Sequence, residues 1–131
     1  MSVSSTIESI SFNADGLVPA IIQQWDTGEV LMLGWMNDEA VRRTLTEGRV
    51  TFWSRSRSEY WRKGDTSGNA QYVRGASLDC DNDTLLVQVE QVGVACHTGT
   101  RTCFDSRDLS PVIGDIPDAD SSDSTPEGDD V

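Results

Sequence analysis

All three cysteines of this 131-residue chain, Cys80, Cys96 and Cys103, fall in residues 77–104, SLDCDNDTLLVQVEQVGVACHTGTRTCF, together with its single histidine, His97. Their spacing is C-x15-C-x6-C. Three thiolates suit zinc, which binds sulfur at about 2.3 Å and keeps a fourth position open when the protein supplies only three ligands. Water at such a position loses a proton near neutrality and becomes a nucleophile. Structural zinc sites use paired CxxC knuckles, and this chain has none. The competing reading is that the thiols are small buried hydrophobes. An odd number of cysteines in a reducing compartment argues for metal or catalytic use over disulfides. His97, beside Cys96, is a candidate fourth ligand or proton shuttle, and the shuttle is preferred.

Cys80 is held between Asp79 and Asp81, with Asp83 two residues further on. In an extended segment these carboxylates project to one face and Cys80 to the other. Three hard oxygen ligands suit Mg2+, which keeps several waters and reaches toward phosphates. The D-x-D-x-D run looks like the start of an EF-hand loop, but no glycine follows at the required place and no helices flank it. A solvated turn in an acidic protein is the plain alternative. Cys80 ends one strand, whereas Cys96 and Cys103 follow a long returning strand. If that strand carries them apart, the metal bridges two subunits; spacing leaves the point open.

The elements that must position these groups are mostly strands. Residues 1–15 read as polar and irregular. Leu17–Gln23 and Glu29–Met36 flank the turn signal Asp26-Thr27-Gly28 and predict a hairpin, with Pro19 at a strand edge. Asn37 or Asp38 caps a helix over about 37–47, with Val41 and Leu45 on its apolar side and Gly48 closing it. Arg49–Ser54 is β-branched and aromatic, a strand. Residues 55–70, RSRSEYWRKGDTSGNA, hold four of the ten basic residues, Arg55, Arg57, Arg62 and Lys63, the last being the only lysine. Arginine forks, a lysine and backbone N–H groups among Ser and Gly suit phosphate oxygens, and Tyr60 or Trp61 could stack on a base. So long a polar segment reads as a binding loop. Gln71–Leu78 is the next strand, and Thr84–Val92, with Leu85, Val87 and Val89 alternating, is the strongest.

Composition bounds the classes. The net charge is −12 and hydrophobic residues make up 37%, below the usual globular share. The charge argues against a basic nucleic-acid patch as a main function, since phosphate neutralisation needs clustered Lys and Arg. Nine Arg against one Lys, among dense carboxylates, resembles proteins of salt-adapted organisms. Neither a signal peptide nor an apolar run of about 20 residues is seen, so a cytoplasmic protein without membrane contact is expected. Residues 105–131 hold nine acidic residues and one basic. The expected organisation is one domain over 1–117 and a disordered acidic tail over 118–131.

The motifs GLVPAIIQ, VLMLGWMN, FWSRSRSEYWRKGDTSGN, LDCDNDTLLVQVEQ and ACHTGTRTCF, in this order, resemble the phosphoribosyl-AMP cyclohydrolase family over about residues 10–104. One departure is Val94, where the family usually has proline. The resemblance implies a mainly β (α+β) fold, with mixed and antiparallel sheets and one helix, in an intertwined homodimer. It implies zinc on Cys80, Cys96 and Cys103, one ion per subunit and shared across the dimer, and magnesium on Asp79, Asp81 and Asp83. It implies hydrolysis of the N1–C6 bond of 1-(5-phosphoribosyl)-AMP in histidine biosynthesis, by a monofunctional chain. His97 is then the catalytic proton carrier, and Arg55, Arg57, Trp61, Lys63, Ser67, Gly68 and Asn69 the substrate-binding set. A zinc nucleoside deaminase would need H-x-E followed by P-C-x-x-C, and neither occurs. The remaining alternative is a non-catalytic zinc-stabilised binding module.

Overall fold

The computed structural model describes residues 2–105 and 107–111, so the proposed acidic tail lies outside the described residues. The elements run α1 (Val3–Glu8), β1 (Val18–Gln24), β2 (Val30–Met36), α2 (Asp38–Glu47), β3 (Thr51–Ser54), β4 (Glu59–Arg62), β5 (Gln71–Leu78) and β6 (Leu85–Gln91). The fold is mainly sheet, as expected, but with two helices among the described residues. Residues 1–15 include α1, none of whose six residues is fully buried; its apolar stripe is only Val3 and Ile7, both half-buried, with Ile7 packed against the core. The Ser2 side chain accepts from the Ser5 N–H and starts the helix, which lies along α2.

β1, β2, β5 and β6 form one mixed sheet in the order β2-β1-β6-β5. The β1–β2 hairpin is antiparallel, as its turn signal predicts, and β5–β6 is a second antiparallel pair. The parallel pair β1–β6 joins the two hairpins, from Ala20 opposite Leu85 to Gln24 opposite Val89. β1 is thus a central strand; Pro19 is tolerated because the parallel ladder begins only at Ala20. The alternation read along β6 is real: Leu85, Val87 and Val89 are buried, and they meet Ala20, Ile22, Leu31 and Val41 in the core.

A second, two-stranded sheet, β3–β4, was not foreseen in the basic loop. Phe52 pairs with Trp61 and Trp53 with Tyr60. Phe52 lies flat on β2 because residue 34 is glycine: a Cβ there would come within 2.4 Å of two Phe52 ring carbons. α2 packs against this hairpin. Asn37 caps it, its side chain accepting the Ala40 N–H at 2.9 Å, and Gly48 closes it in the left-handed region at φ 74. Its buried face includes Thr44, a polar residue that an apolar pattern misses. The Thr44 hydroxyl accepts the Thr51 N–H at 3.0 Å and donates to the Thr51 carbonyl at 3.3 Å.

Three buried glutamines fix the far end of β6. Gln24 Oε1 accepts the Gln91 N–H at 3.0 Å, and Gln71 Nε2 donates to Gln91 Oε1 at 2.8 Å. Gln91 Nε2 donates to the Val92 carbonyl at 2.8 Å and the Asn69 carbonyl at 3.3 Å. The strand end, the loop before β5 and the turn after β6 are therefore one hydrogen-bonded unit.

Removing the Thr44 hydroxyl leaves two buried backbone groups short of a partner, which costs about 1–3 kcal/mol. Thr44→Val is expected to lower the urea midpoint with an unchanged slope, and Thr44→Ser to recover most of the loss. A midpoint equal to wild type would remove the hydroxyl from the account of how α2 is held.

Candidate active site

β5 and β6 are joined by a turn over residues 79–84 that carries the carboxylates. The Asp79 N–H donates to the Thr84 carbonyl at 3.0 Å, and Asp79 Oδ1 accepts the N–H groups of Asp83 at 3.0 Å and Thr84 at 3.2 Å. Asn82 supplies the left-handed residue, φ 64. One oxygen from each of Asp79, Asp81 and Asp83 lies within 4.8 Å of the others, all three side chains being exposed. The carboxylates gather because the backbone curls, not by the strand alternation expected from their spacing. The Asp81 and then the Asp79 carboxyl push the Asp83 carboxyl up. That is the like-charge crowding a hard divalent cation relieves, so the donor set fits magnesium.

The thiols are divided. Cys80 is exposed in this same turn, before β6, whereas Cys96 and Cys103 lie beyond its other end. β6 has seven residues and is about 20 Å long. Among the described residues Asp79, Asp81 and Asp83 form the only set of three such ligands this close together, so one chain does not bring the three thiols together. Nor are they buried hydrophobes: Cys80 and Cys103 are exposed and Cys96 half-buried.

Cys96 and Cys103 are held by the turn after β6. The Cys96 N–H donates to the Thr100 carbonyl at 3.2 Å, and the Ala95 N–H to the Arg101 carbonyl at 3.0 Å. The Cys103 N–H donates to Leu31 of the edge strand β2 at 2.8 Å. Cys96 Sγ lies 3.0 Å from the Thr98 hydroxyl. That hydroxyl, the Thr98 N–H and the Thr100 hydroxyl hold the Cys96 thiol down to about 6. Burial, and then the neighbouring Cys96, push Cys103 up. A ready thiolate beside a second thiol fits a soft metal such as zinc. His97 is exposed next to them and lines two cavities that Cys96 also lines.

The basic loop reaches this turn through its lysine. Lys63 is only 8% exposed, and its Nζ donates to the Ala95 carbonyl at 2.6 Å. Burial pushes its ammonium down, opposed by the charge of Cys103 and Cys96 nearby. The following turn is built on Gly64 at φ +93, where a Cβ would come within 2.4 Å of the Ala70 backbone. Asn69 then packs against Gly93, at φ +68, where a Cβ would come 2.2 Å from Asn69 Oδ1. A cavity of about 330 Å³ results, lined by Trp61, Lys63, Ser67, Asn69, Cys96 and His97 among others. Gly68 is exposed in the same turn.

Arg55 and Arg57 do not reach this cavity. They line a second, larger cleft of about 560 Å³ with Trp35 and Trp53, and Trp61 lines both. The set predicted from the loop is therefore divided between two cavities that share Trp61 in their lining. Trp35, Trp53 and Thr66 were missed. Trp35 comes to the cleft from β2, and the pairing of β3 with β4 brings Trp53 and Trp61; the aromatic run Phe52-Trp53 opposite Tyr60-Trp61 was the available signal.

Comparison with known proteins identifies the family. The family model for phosphoribosyl-AMP cyclohydrolase matches residues 32–105. The phosphoribosyl-AMP cyclohydrolase of Clavibacter sepedonicus is 72% identical over 118 residues, covering 90% of this chain and 86% of its own. That of Leifsonia xyli subsp. xyli is 70% identical over 110 residues, 84% of this chain and 88% of its own. That of Nocardioides sp. is 67% identical over 107 residues, 82% and 87% respectively. The chain belongs to the phosphoribosyl-AMP cyclohydrolase family.

Proposed function

We propose that this chain is a hydrolase that opens the adenine ring of 1-(5-phosphoribosyl)-AMP at the N1–C6 bond, the third step of histidine biosynthesis. The observation that carries this reading is where the family match falls. Residues 32–105 include every candidate site residue, from Arg55 to Cys103. In the reaction, water adds its oxygen to C6, the N1–C6 bond breaks and N1 takes up a proton. C6 keeps its exocyclic nitrogen and becomes a carboxamide.

Cys96 and Cys103 of one subunit would hold zinc with Cys80 of a second, and Asp79, Asp81 and Asp83 would hold magnesium. Zinc, when bound, supplies the Lewis acid that makes a strong nucleophile from water near neutral pH. His97 stands at the mouth of the cavity beside Cys96 and carries the proton to N1. Lys63 fixes the Ala95 carbonyl and hence the start of the turn that presents both thiols. Ser67, Gly68 and Asn69 offer hydroxyl, N–H and amide donors to the substrate phosphate nearest the reacting bond. The separation of Cys80 from the other thiols supports a homodimer, as do exposed Phe104 and Leu109 beside Cys103. The enzyme works in the cytoplasm on a small nucleotide. No helix among the described residues is long and apolar enough to cross a membrane.

Incubation with phosphoribosyl-AMP, with and without a chelator, is expected to give ring opening that the chelator abolishes and added zinc restores. Tight metal binding with no turnover would instead indicate a zinc-stabilised binding module. His97→Ala is expected to lower kcat by about 10²- to 10⁴-fold with zinc content unchanged; unaltered turnover removes His97 from the mechanism. Cys80→Ser and Cys96→Ser should each be inactive alone. Co-refolded in equal amounts they should regain about a quarter of wild-type activity, since half the dimers are hybrids and each hybrid has one intact site of two. No regain would place all three thiols on one chain.

A further inference from the structure

Arg55 and Arg57 line one cavity, Cys96 and His97 line another, Trp61 borders both, and the substrate has two phosphates. We propose that the cleft formed by Trp35, Trp53, Trp61 and Arg55 is the subsite for the AMP half of the substrate, with Arg55 holding its 5′-phosphate. This rests on the cyclohydrolase reading above.

Three observations carry it. The first is charge. In a chain of net charge −12, seven of the nine arginines pair with a carboxylate among the described residues: Arg42, Arg43, Arg49, Arg57, Arg62, Arg74 and Arg101. Arg55 has no such partner among the described residues. Its guanidinium lies 5.0 Å from the centroid of the Trp35 ring, at the wall of the cleft. An arginine stacked on an aromatic face keeps its planar fork of N–H groups available for a phosphate.

The second is the lining. Three tryptophans around one cleft give flat apolar faces on which a purine or a ribose can lie, and indole–base stacking is sequence-tolerant and strong. The third is the position of Trp61. It is braced from behind by Phe52, with ring centroids 5.2 Å apart, and it borders both cavities. The cleaved bond must lie on the Cys96–His97 side. The sugar phosphate on N1 is attached to that bond and stays on the same side, near Lys63, Ser67 and Asn69. The other sugar phosphate leaves the purine from N9, across the ring. With the purine against Trp61, that arm enters the Arg55 cleft.

AMP and adenosine are the probes, since they differ only in this phosphate and neither carries the N1 substituent. They are titrated into the full-length metal-loaded protein by calorimetry and by tryptophan fluorescence. AMP is expected to bind more tightly than adenosine. Arg55→Ala should weaken AMP by about 10- to 100-fold, as for a lost charge-assisted hydrogen bond, and change adenosine less than about twofold. Arg55→Lys should restore part of the AMP affinity. With phosphoribosyl-AMP, the Arg55→Ala effect should fall mainly on KM. Equal affinities for AMP and adenosine, no AMP binding, or AMP affinity unchanged in Arg55→Ala would each overturn the proposal. A dimer weakened by Arg55→Ala with AMP binding intact would overturn it too, by making the cleft an interface between copies. Failure of the cyclohydrolase reading looks different: phosphoribosyl-AMP is not turned over, while Arg55-dependent discrimination of AMP from adenosine persists.

Discussion

β6 is the constraint on which the arrangement of this molecule depends. It runs straight through the core, paired on both sides, with Leu85, Val87 and Val89 buried. A strand held this way cannot bend to bring its ends together, so the turn before it and the turn after it stay about 20 Å apart. The first turn carries the three carboxylates and Cys80, the second Cys96, His97 and the approach to Cys103. Hard-ligand and soft-ligand chemistry are kept apart by this rod within one chain. The proposed sharing of zinc between subunits follows from it: a second copy is the simplest source of a Cys80 placed near the other two thiols.

Around the far end of the rod, stability and site geometry rest on the same buried polar contacts. Gln91, Gln71 and Gln24 tie the strand end to the loops beside it. Lys63 does the same one layer further out, with its ammonium on the Ala95 carbonyl. A buried amine with a single neutral acceptor is costly to hold charged, and its ordinary pKa is depressed accordingly. Negative charge on the Cys103 and Cys96 sulfurs nearby opposes part of that cost, which couples the lysine to the cysteine turn. The loop that looked from its composition like a row of surface charges is in part an internal brace.

What could be read in the sequence were the local patterns. The alternation along β6, the Asp26-Thr27-Gly28 turn, the Asn37 cap and the Gly48 stop each depend on neighbours a few residues away, and each appears where expected. The parallel pairing of β1 with β6 has no local signature, because its partners lie about sixty-five residues apart. β4 was hidden by Arg and Lys around Tyr60 and Trp61, whose strand character shows only once β3 lies opposite. α1 half-buries only Val3 and Ile7 as apolar side chains, too short a stripe for periodicity to register. At the site, residue types indicated which groups could bind metal. They did not indicate that a turn brings the three carboxylates within reach of one ion, that Lys63 points inward, or that Arg55 lines a different cavity from Ser67 and Asn69.

The burial of Lys63 has a consequence for handling the protein. It is the only lysine in the chain, and it is 8% exposed. The folded surface therefore offers almost no side-chain amine to acylating labels, aldehyde fixatives or amine-directed cross-linkers. Reaction at this residue draws its nitrogen away from the Ala95 carbonyl that holds it. Labelling mapped to Lys63 itself, apart from the α-amino group, thus follows how often that hydrogen bond breaks, in a molecule whose other basic side chains are nine arginines and one histidine.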